Sequence, residues 1–355
     1  MSEKTMETFY TSANWNQPED DFTHDFFMEL KSNIWHPEEI PVTSDKNTWS
    51  QLQERQQWAY SQNLQLLTFF DTYQGDLGMP VVARALPSHF HQRKAMLGMM
   101  GFEENSIHAK SYSGIFQTLL PEREKALIKW GEESANLQNL VGTIVEQYKK
   151  MDKYVFYRDS NVMSEDEDIY RIELWKTMVT SVFLESFLFY SGFYYPLYFY
   201  AQGKLMQSGE IINLIIRDEL VHGVYVSKLA KELFESFPKE EKERLAKWAK
   251  ERVIEIHDLQ KKVVDEIYAP IGMEDEVKAF CRYNANKAFD HLNLTRVFPE
   301  EYINPAVLNG LNTATKDFDF FSMKGNGYQR ITVVPMDDSD FYFEGVERTA
   351  LAVAV

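Results

Sequence analysis

The chain has 355 residues, 44% hydrophobic and 14% aromatic, which is enough apolar material for a substantial core in one or two domains. Its formal net charge of −17, with no cluster of Lys and Arg, argues against a nucleic-acid phosphate partner. Cys281 is the only cysteine, which excludes an intramolecular disulfide and a thiolate-rich zinc site and fits a reducing compartment.

The N-terminal MSEKTMETFYTSANW lacks the basic start, apolar stretch and small-residue cleavage site of a secretory signal, so a cytoplasmic protein is expected. Helical periodicity then predicts long helices over 49–73, 90–119, 122–150, 166–200, 207–236, 239–268 and 273–289. Strict period-two alternation is almost absent, so the fold class is all-α. Breaks are expected at Gly75 to Pro80, Pro87 with Ser88, Pro121, Asp159 to Asn161, Gly203 and Pro238. Several long helices in succession suit a bundle, and with no repeat and no Gly/Ser or Pro-rich linker, residues 1–302 are expected to form one domain. Within it, residues 186–203 carry no charge over a length that could span a bilayer. Glu185 just before them, Pro196 inside them and tyrosines through the middle favour a buried core helix, and no membrane partner is expected. From residue 303 to 355 the periodicity fades, which predicts a flexible tail. The GNG in this tail has neither a preceding strand nor a following Lys-Ser/Thr, so it reads as connector.

Helices keep carboxylates off buried faces unless the charge is paired or bound to metal. Four places break that pattern: Asp71 in QLLTFFDTYQ, Glu104 with His108 in FEENSIHAKSYSGIF, Glu185 in SVFLESFLFYSGF, and Glu219 with His222 in INLIIRDELVHGVYV. Four carboxylates and two histidines from four helices form the ligand inventory of a di-iron or di-manganese centre in a helical bundle. Hard oxygen donors with two imidazoles suit manganese or iron. Taken singly, Asp71 or Glu185 could equally be a buried acid satisfied by an Arg or a Tyr. Acid-histidine pairs also arise by chance, as Asp20 or Asp21 with His24 does, and the apolar flanks supply the discrimination. His36, His89, His91, His257 and His291 have no acid three or four residues earlier, and surface or cap roles are expected for them.

In the usual metal-binding helix the carboxylate stands three residues before the histidine, but here that position is Asn105. Spacings of three and four share one helix face, and a single π-bulge between 104 and 108 would absorb the extra residue. Glu104 is therefore the expected ligand, and Glu103, pointing further away in a regular helix, a solvated charge. Tyr112 lies one turn beyond His108 on the same face, where it is either a core aromatic or a phenol oxidised beside the metals. Phe189, Phe193 and Ile215 fall on the faces of Glu185 and Glu219 and either line an apolar pocket or are plain core.

The segments WHPEEI at 35–40, DTYQGDLGMP at 71–80, HAKSYSGIF at 108–116, FLESFLFYSGFYYPLYF at 183–199, IIRDELVHGVYV at 215–226 and RYNANKA at 282–288 carry a family resemblance. The chain resembles the small, radical-generating subunit of class I ribonucleotide reductase, most closely the class Ib branch, over nearly its whole length. The resemblance implies a ferritin-like dimetal carboxylate bundle with Asp71, Glu104, His108, Glu185, Glu219 and His222 as ligands of two manganese or two iron ions. It implies Tyr112 as the radical site, Trp35 as an electron-relay tryptophan, and Asp218 as the acid joining that indole to a ligating histidine. Tyr342, in the DFYFEG segment, is the expected terminal relay. The broader family has Glu-x-x-His where this chain has Glu-x-x-x-His. Implied partners are a large catalytic subunit holding the nucleoside diphosphate, a flavodoxin-like activator for a manganese form, and a second copy in a homodimer. One cysteine cannot supply both a thiyl radical and a reducing dithiol, which agrees with a separate large subunit.

Rival readings make different demands. A ligand-binding oxidase of the same bundle would replace the radical tyrosine and carry Glu as its first acid, whereas the chain has Tyr112 and Asp71. A ferritin-type storage bundle would be shorter and need no relay tryptophan or aromatic tail. A helical interaction protein would be indifferent to metal chelation.

Overall fold

The computed structural model describes residues 11–160 and 167–311. All regular elements among the described residues are helical. The order is α1 (Asp21–Ser32), α2 (Lys46–Ser50), α3 (Glu54–Tyr73), α4 (Met79–Ala85), α5 (His91–Glu103), α6 (Ala109–Leu119), α7 (Glu124–Glu133), α8 (Ala135–Asp159), α9 (Glu167–Phe183), α10 (Phe189–Tyr200), α11 (Met206–Glu235), α12 (Lys239–Tyr268), α13 (Glu274–His291) and α14 (Pro305–Leu311). Three single π-turns, Gln74–Gly78, Glu104–His108 and Leu184–Leu188, join α3 to α4, α5 to α6 and α9 to α10.

Local chemistry sets the helix ends. Asp20 caps α1, its Oδ1 accepting from the Thr23 amide at 2.6 Å. A capping box between Gln53 and Gln56 starts α3. Ser134 caps α8 and so splits the predicted helix 122–150 into α7 and α8. The break expected at Gly75 to Pro80 does not occur. The helix passes through the Gln74–Gly78 π-turn into α4, and Pro80 sits in the first turn of α4, where a missing N–H is tolerated.

The uncharged stretch after Glu185 is core. Nearly all of α10 is buried, packed against α3, α11, α13 and α14. A helix apolar all round is accounted for by neighbours on every side, and no described helix is long and apolar enough to cross a membrane. α10 approaches α3 so closely that a Cβ on Gly192 would lie 2.6 Å from Leu67 Cγ. Phe189, Phe193 and Ile215 are all fully buried.

Two expectations are corrected here. The packed body runs past residue 302: α14 docks on α10, and Ile303 and Val307 are buried, because their apolar side chains fill the space beside that helix. The GNG, Tyr342 and the rest of the segment after 311 lie outside the described residues. His257 is not a surface histidine, whereas His291 is partly exposed in the last turn of α13. His257 is buried between Phe187 and Phe298, and His291 Nδ1 lies 3.0 Å from Ser186 Oγ.

Candidate metal centre

The six predicted ligands converge. Asp71 comes from the last turn of α3, Glu104 and His108 from the two ends of one π-turn, Glu185 from another, and Glu219 and His222 from the middle of α11. All six are fully buried. They form two four-residue groups, Asp71, Glu104, His108 and Glu219, and Glu104, Glu185, Glu219 and His222, with ligand atoms within 4.8 Å of one another in each. Glu104 and Glu219 belong to both, so these two carboxylates would be shared between two ions held there.

The two imidazoles are oriented alike. His108 Nδ1 stands 3.0 Å from Glu219 Oε1, 3.3 Å from Asp71 Oδ1 and 3.5 Å from Glu104 Oε2. His222 Nδ1 stands 3.1 Å from Glu104 Oε1 and 3.3 Å from Glu219 Oε2. Each Nε2 faces outward to a further acid, His108 to Asp218 Oδ2 at 3.3 Å and His222 to Glu103 Oε2 at 3.0 Å. A metal-binding imidazole needs this pattern, with the lone pair on the metal side and the N–H donated to an outer carboxylate that fixes the tautomer.

Without cations this cluster is electrostatically costly. Burial pushes the Asp71 and Glu185 carboxyls well above the usual range, and the charges of Glu104 and Glu219 push the same way. Burial also acts to raise Glu219, but Glu185, His108 and His222 close beside it hold it below the usual range. Burial alone would lower both histidines, yet the carboxylates around them raise both well above the ordinary imidazole value. Among the described residues, both oxygens of Asp71, both of Glu219, Glu104 Oε2, Glu185 Oε2 and His108 Nδ1 are buried without a hydrogen-bond partner. Buried anions in that state call for a counter-charge. Two divalent cations would balance the four carboxylates with both histidines neutral, so the residues present fit a dinuclear centre of manganese or iron.

A profile of the family described as "Ribonucleotide reductase, small chain" matches residues 12–305. The chain belongs to the ribonucleotide reductase small-chain family. It is 48% identical over 340 residues to the ribonucleoside-diphosphate reductase subunit beta of Bacillus subtilis (strain 168), covering 96% of this chain and 98% of that one. It is 36% identical to the ribonucleoside-diphosphate reductase 2 subunit beta of Escherichia coli (strain K12), covering 94% and 98%. Among solved structures, the dimanganese(II) NrdF of Streptococcus sanguinis superposes with a TM-score of 0.76 at 32% identity, covering 85% of this chain and all of that one.

Tyr112, Trp35 and Asp218 lie around the same cluster. Tyr112, on α6 beyond His108, is fully buried, and its hydroxyl has no hydrogen-bond partner. Burial pushes its phenol well up, and the charges of Asp71, Glu219 and Glu104 add to this in that order. Trp35 is buried, its Nε1–H donating to Asp218 Oδ2 at 2.7 Å, the same oxygen that faces His108. Burial works to raise Asp218, but Arg217, His108 and Trp35 hold its carboxyl below the usual range. Asp20 is a helix cap also held by Arg93, and it takes no part in the centre.

Glu103 was expected in solvent and is not there. It is 1% exposed and bonded to His222, and burial pushes it up to about 7. The regular-helix projection fails because the π-turn that begins directly after Glu103 turns this stretch relative to His108, and adjacent Glu103 and Glu104 reach the His222 imidazole, one at each ring nitrogen.

Proposed function

We propose that the chain is the small, radical-generating subunit of a class Ib ribonucleoside-diphosphate reductase. The observation that carries the reading is a pair of four-ligand groups sharing two carboxylates, set beside a buried tyrosine whose hydroxyl has no partner. Asp71, Glu104, His108, Glu185, Glu219 and His222 would hold two manganese ions, as in the Streptococcus sanguinis relative, or two iron ions, which, once oxidised by an oxygen species, would supply the oxidising power for taking one electron from Tyr112.

The protein's own residues then hold the product. Burial shields Tyr112 from solvent, and its oxygen has no hydrogen-bond partner among the described residues, which protects a radical held there. Asp218 locks the indole of Trp35 against the outer edge of His108, with ring centroids of the two aromatic groups 6.4 Å apart. Trp35 is thereby positioned to carry an electron between the centre and the surface segment it leads into, and Tyr342 continues the relay.

Reduction of the ribose belongs to a large catalytic subunit. Cys281 is buried, and burial pushes its thiol up, so it supplies neither a thiyl radical nor a dithiol to an outside substrate. The same reading assigns docking on the large subunit to the segment after α14, manganese activation to a flavodoxin-like partner, the working form to a homodimer, and the location to the cytoplasm.

Electron paramagnetic resonance after metal loading and oxidation tests the proposal. The wild-type chain is expected to give a tyrosyl signal that Tyr112→Phe abolishes. A signal surviving in the variant refutes the assignment.

A further inference from the structure

The outer partners of both histidines are acids, but Glu185 has a different kind of support. The side chain of Gln74, fully buried in the first π-turn, sits between three groups. Its Nε2 donates to Ser181 Oγ at 2.7 Å and to Glu185 Oε1, and its Oε1 accepts from the Tyr148 hydroxyl at 2.5 Å. Resting on the dimetal reading above, we propose that Gln74, oriented by Tyr148, is a positioning residue that fixes Glu185 for one of the two metal positions.

The chemistry of the three groups leaves a single amide orientation. An ionised carboxylate only accepts hydrogen bonds, so the amide nitrogen must face Glu185. The amide oxygen is then turned to Tyr148, which has a proton to give. Tyr148 is buried and its phenol is pushed well above the ordinary value by burial and by the charge of Glu185, so it stays protonated and remains a donor. With Oε1 of Glu185 held in this way, Oε2 is left without a partner on the side of the carboxylate group, 3.8 Å from His222 Nδ1. Glu185 therefore offers one oxygen to the metal group and keeps the other for Gln74.

A second observation shows that this arrangement is built in. A Cβ at Gly78, the far end of the same π-turn, would lie 2.1 Å from Gln74 Oε1 and 2.9 Å from the Tyr148 ring. Only a residue without a side chain leaves room there for the phenol and the amide to meet.

The test is a manganese(II) titration of the full chain, with the free aqueous ion followed by electron paramagnetic resonance and thermal midpoints measured in parallel. Wild type is expected to take two ions per protomer. Gln74→Met is expected to keep one position at wild-type affinity and to weaken the other about ten- to a hundredfold, the usual effect of losing an outer partner. Tyr148→Phe, which frees the amide to turn, is expected to weaken the same position to a smaller degree. If Gln74→Met does not fold, Tyr148→Phe decides, since it removes one oxygen only. Two undisturbed positions in these variants, or equal weakening of both, overturns the proposal. A wild-type chain that fails to take two ions overturns the dimetal reading itself and this proposal with it.

Discussion

Asp218→Asn is the sharpest perturbation of the centre, because it keeps the shape of the side chain while removing its charge. One carboxylate oxygen receives Trp35 Nε1 at 2.7 Å and faces His108 Nε2 at 3.3 Å, while the other receives Arg217 Nε at 3.2 Å and Nη2 at 3.1 Å. An amide has one oxygen and one NH2, so whichever way it sits, donor faces donor on one side. The substitution loses charge-assisted bonds in a site 2% exposed, and a destabilisation of about 2–4 kcal/mol is expected for the metal-free chain. His108 also loses the anion that makes its Nδ1 a better ligand, and the ion held by Asp71 and His108 should bind about 10–100-fold more weakly. Urea unfolding of the metal-free chain and manganese titration of the folded one give the two numbers separately. A variant within about 0.5 kcal/mol of wild type that also binds both ions normally would refute the reasoning.

Three further outcomes are expected. Glu103→Gln should weaken the ion shared by Glu185 and His222 about tenfold or more and leave the other unaffected, by the same titration. His257, lowered from 6.5 to about 4 by burial and then by the charges of Lys261 and Arg282, favours the neutral ring in the folded state. Its contribution is therefore complete above pH 6.5 and is lost as pH falls towards 4, on the order of 3 kcal/mol, a slope that His257→Met should remove from urea midpoints measured across that range. Gly192→Ala should cost about 1–3 kcal/mol by forcing α10 away from Leu67 on α3, and a thermal midpoint equal to wild type would contradict the close packing.

The buried cluster of acids and histidines was legible because a charge in an apolar helix is conspicuous. Asp71, Glu185 and Glu219 each stand among Leu, Ile and Phe, a setting that few functions other than ion binding tolerate. Their outer partners were harder to see. Glu103 carries a charge, but its partner is 119 positions away, and in a straight helix it points elsewhere. Gln74 has no charge to stand out, and Tyr148 lies in EQYKKMDKY, whose lysines and acids read as a solvated face. The helix count was blurred for local reasons: Gly75 and Pro80 punctuate a turn in most sequences, whereas here one π-turn carries the chain through, and Ser134 divides a run that periodicity alone leaves whole. Past residue 303, one buried Val307 in a short helix is too little periodicity to announce a packed element.

The π-turns tie these points together. Such turns occupy well under about 1% of residues in ordinary domains, yet the described residues hold three, and each contains a side chain of the centre: Gln74, Glu104 with His108, and Glu185. Inserting one residue rotates everything before it by about 100° relative to everything after it. Glu103 and Glu104 both keep αR backbones and lie on the same side of the insertion, so the extra residue turns the two together relative to His108. With the extra residue absorbed at Glu104–His108, Glu104 belongs to both four-residue groups while Glu103 meets the far side of the His222 imidazole. The four-residue spacing between Glu104 and His108 is thus accommodated by a helix widened at the site, with both adjacent acids turned to His222.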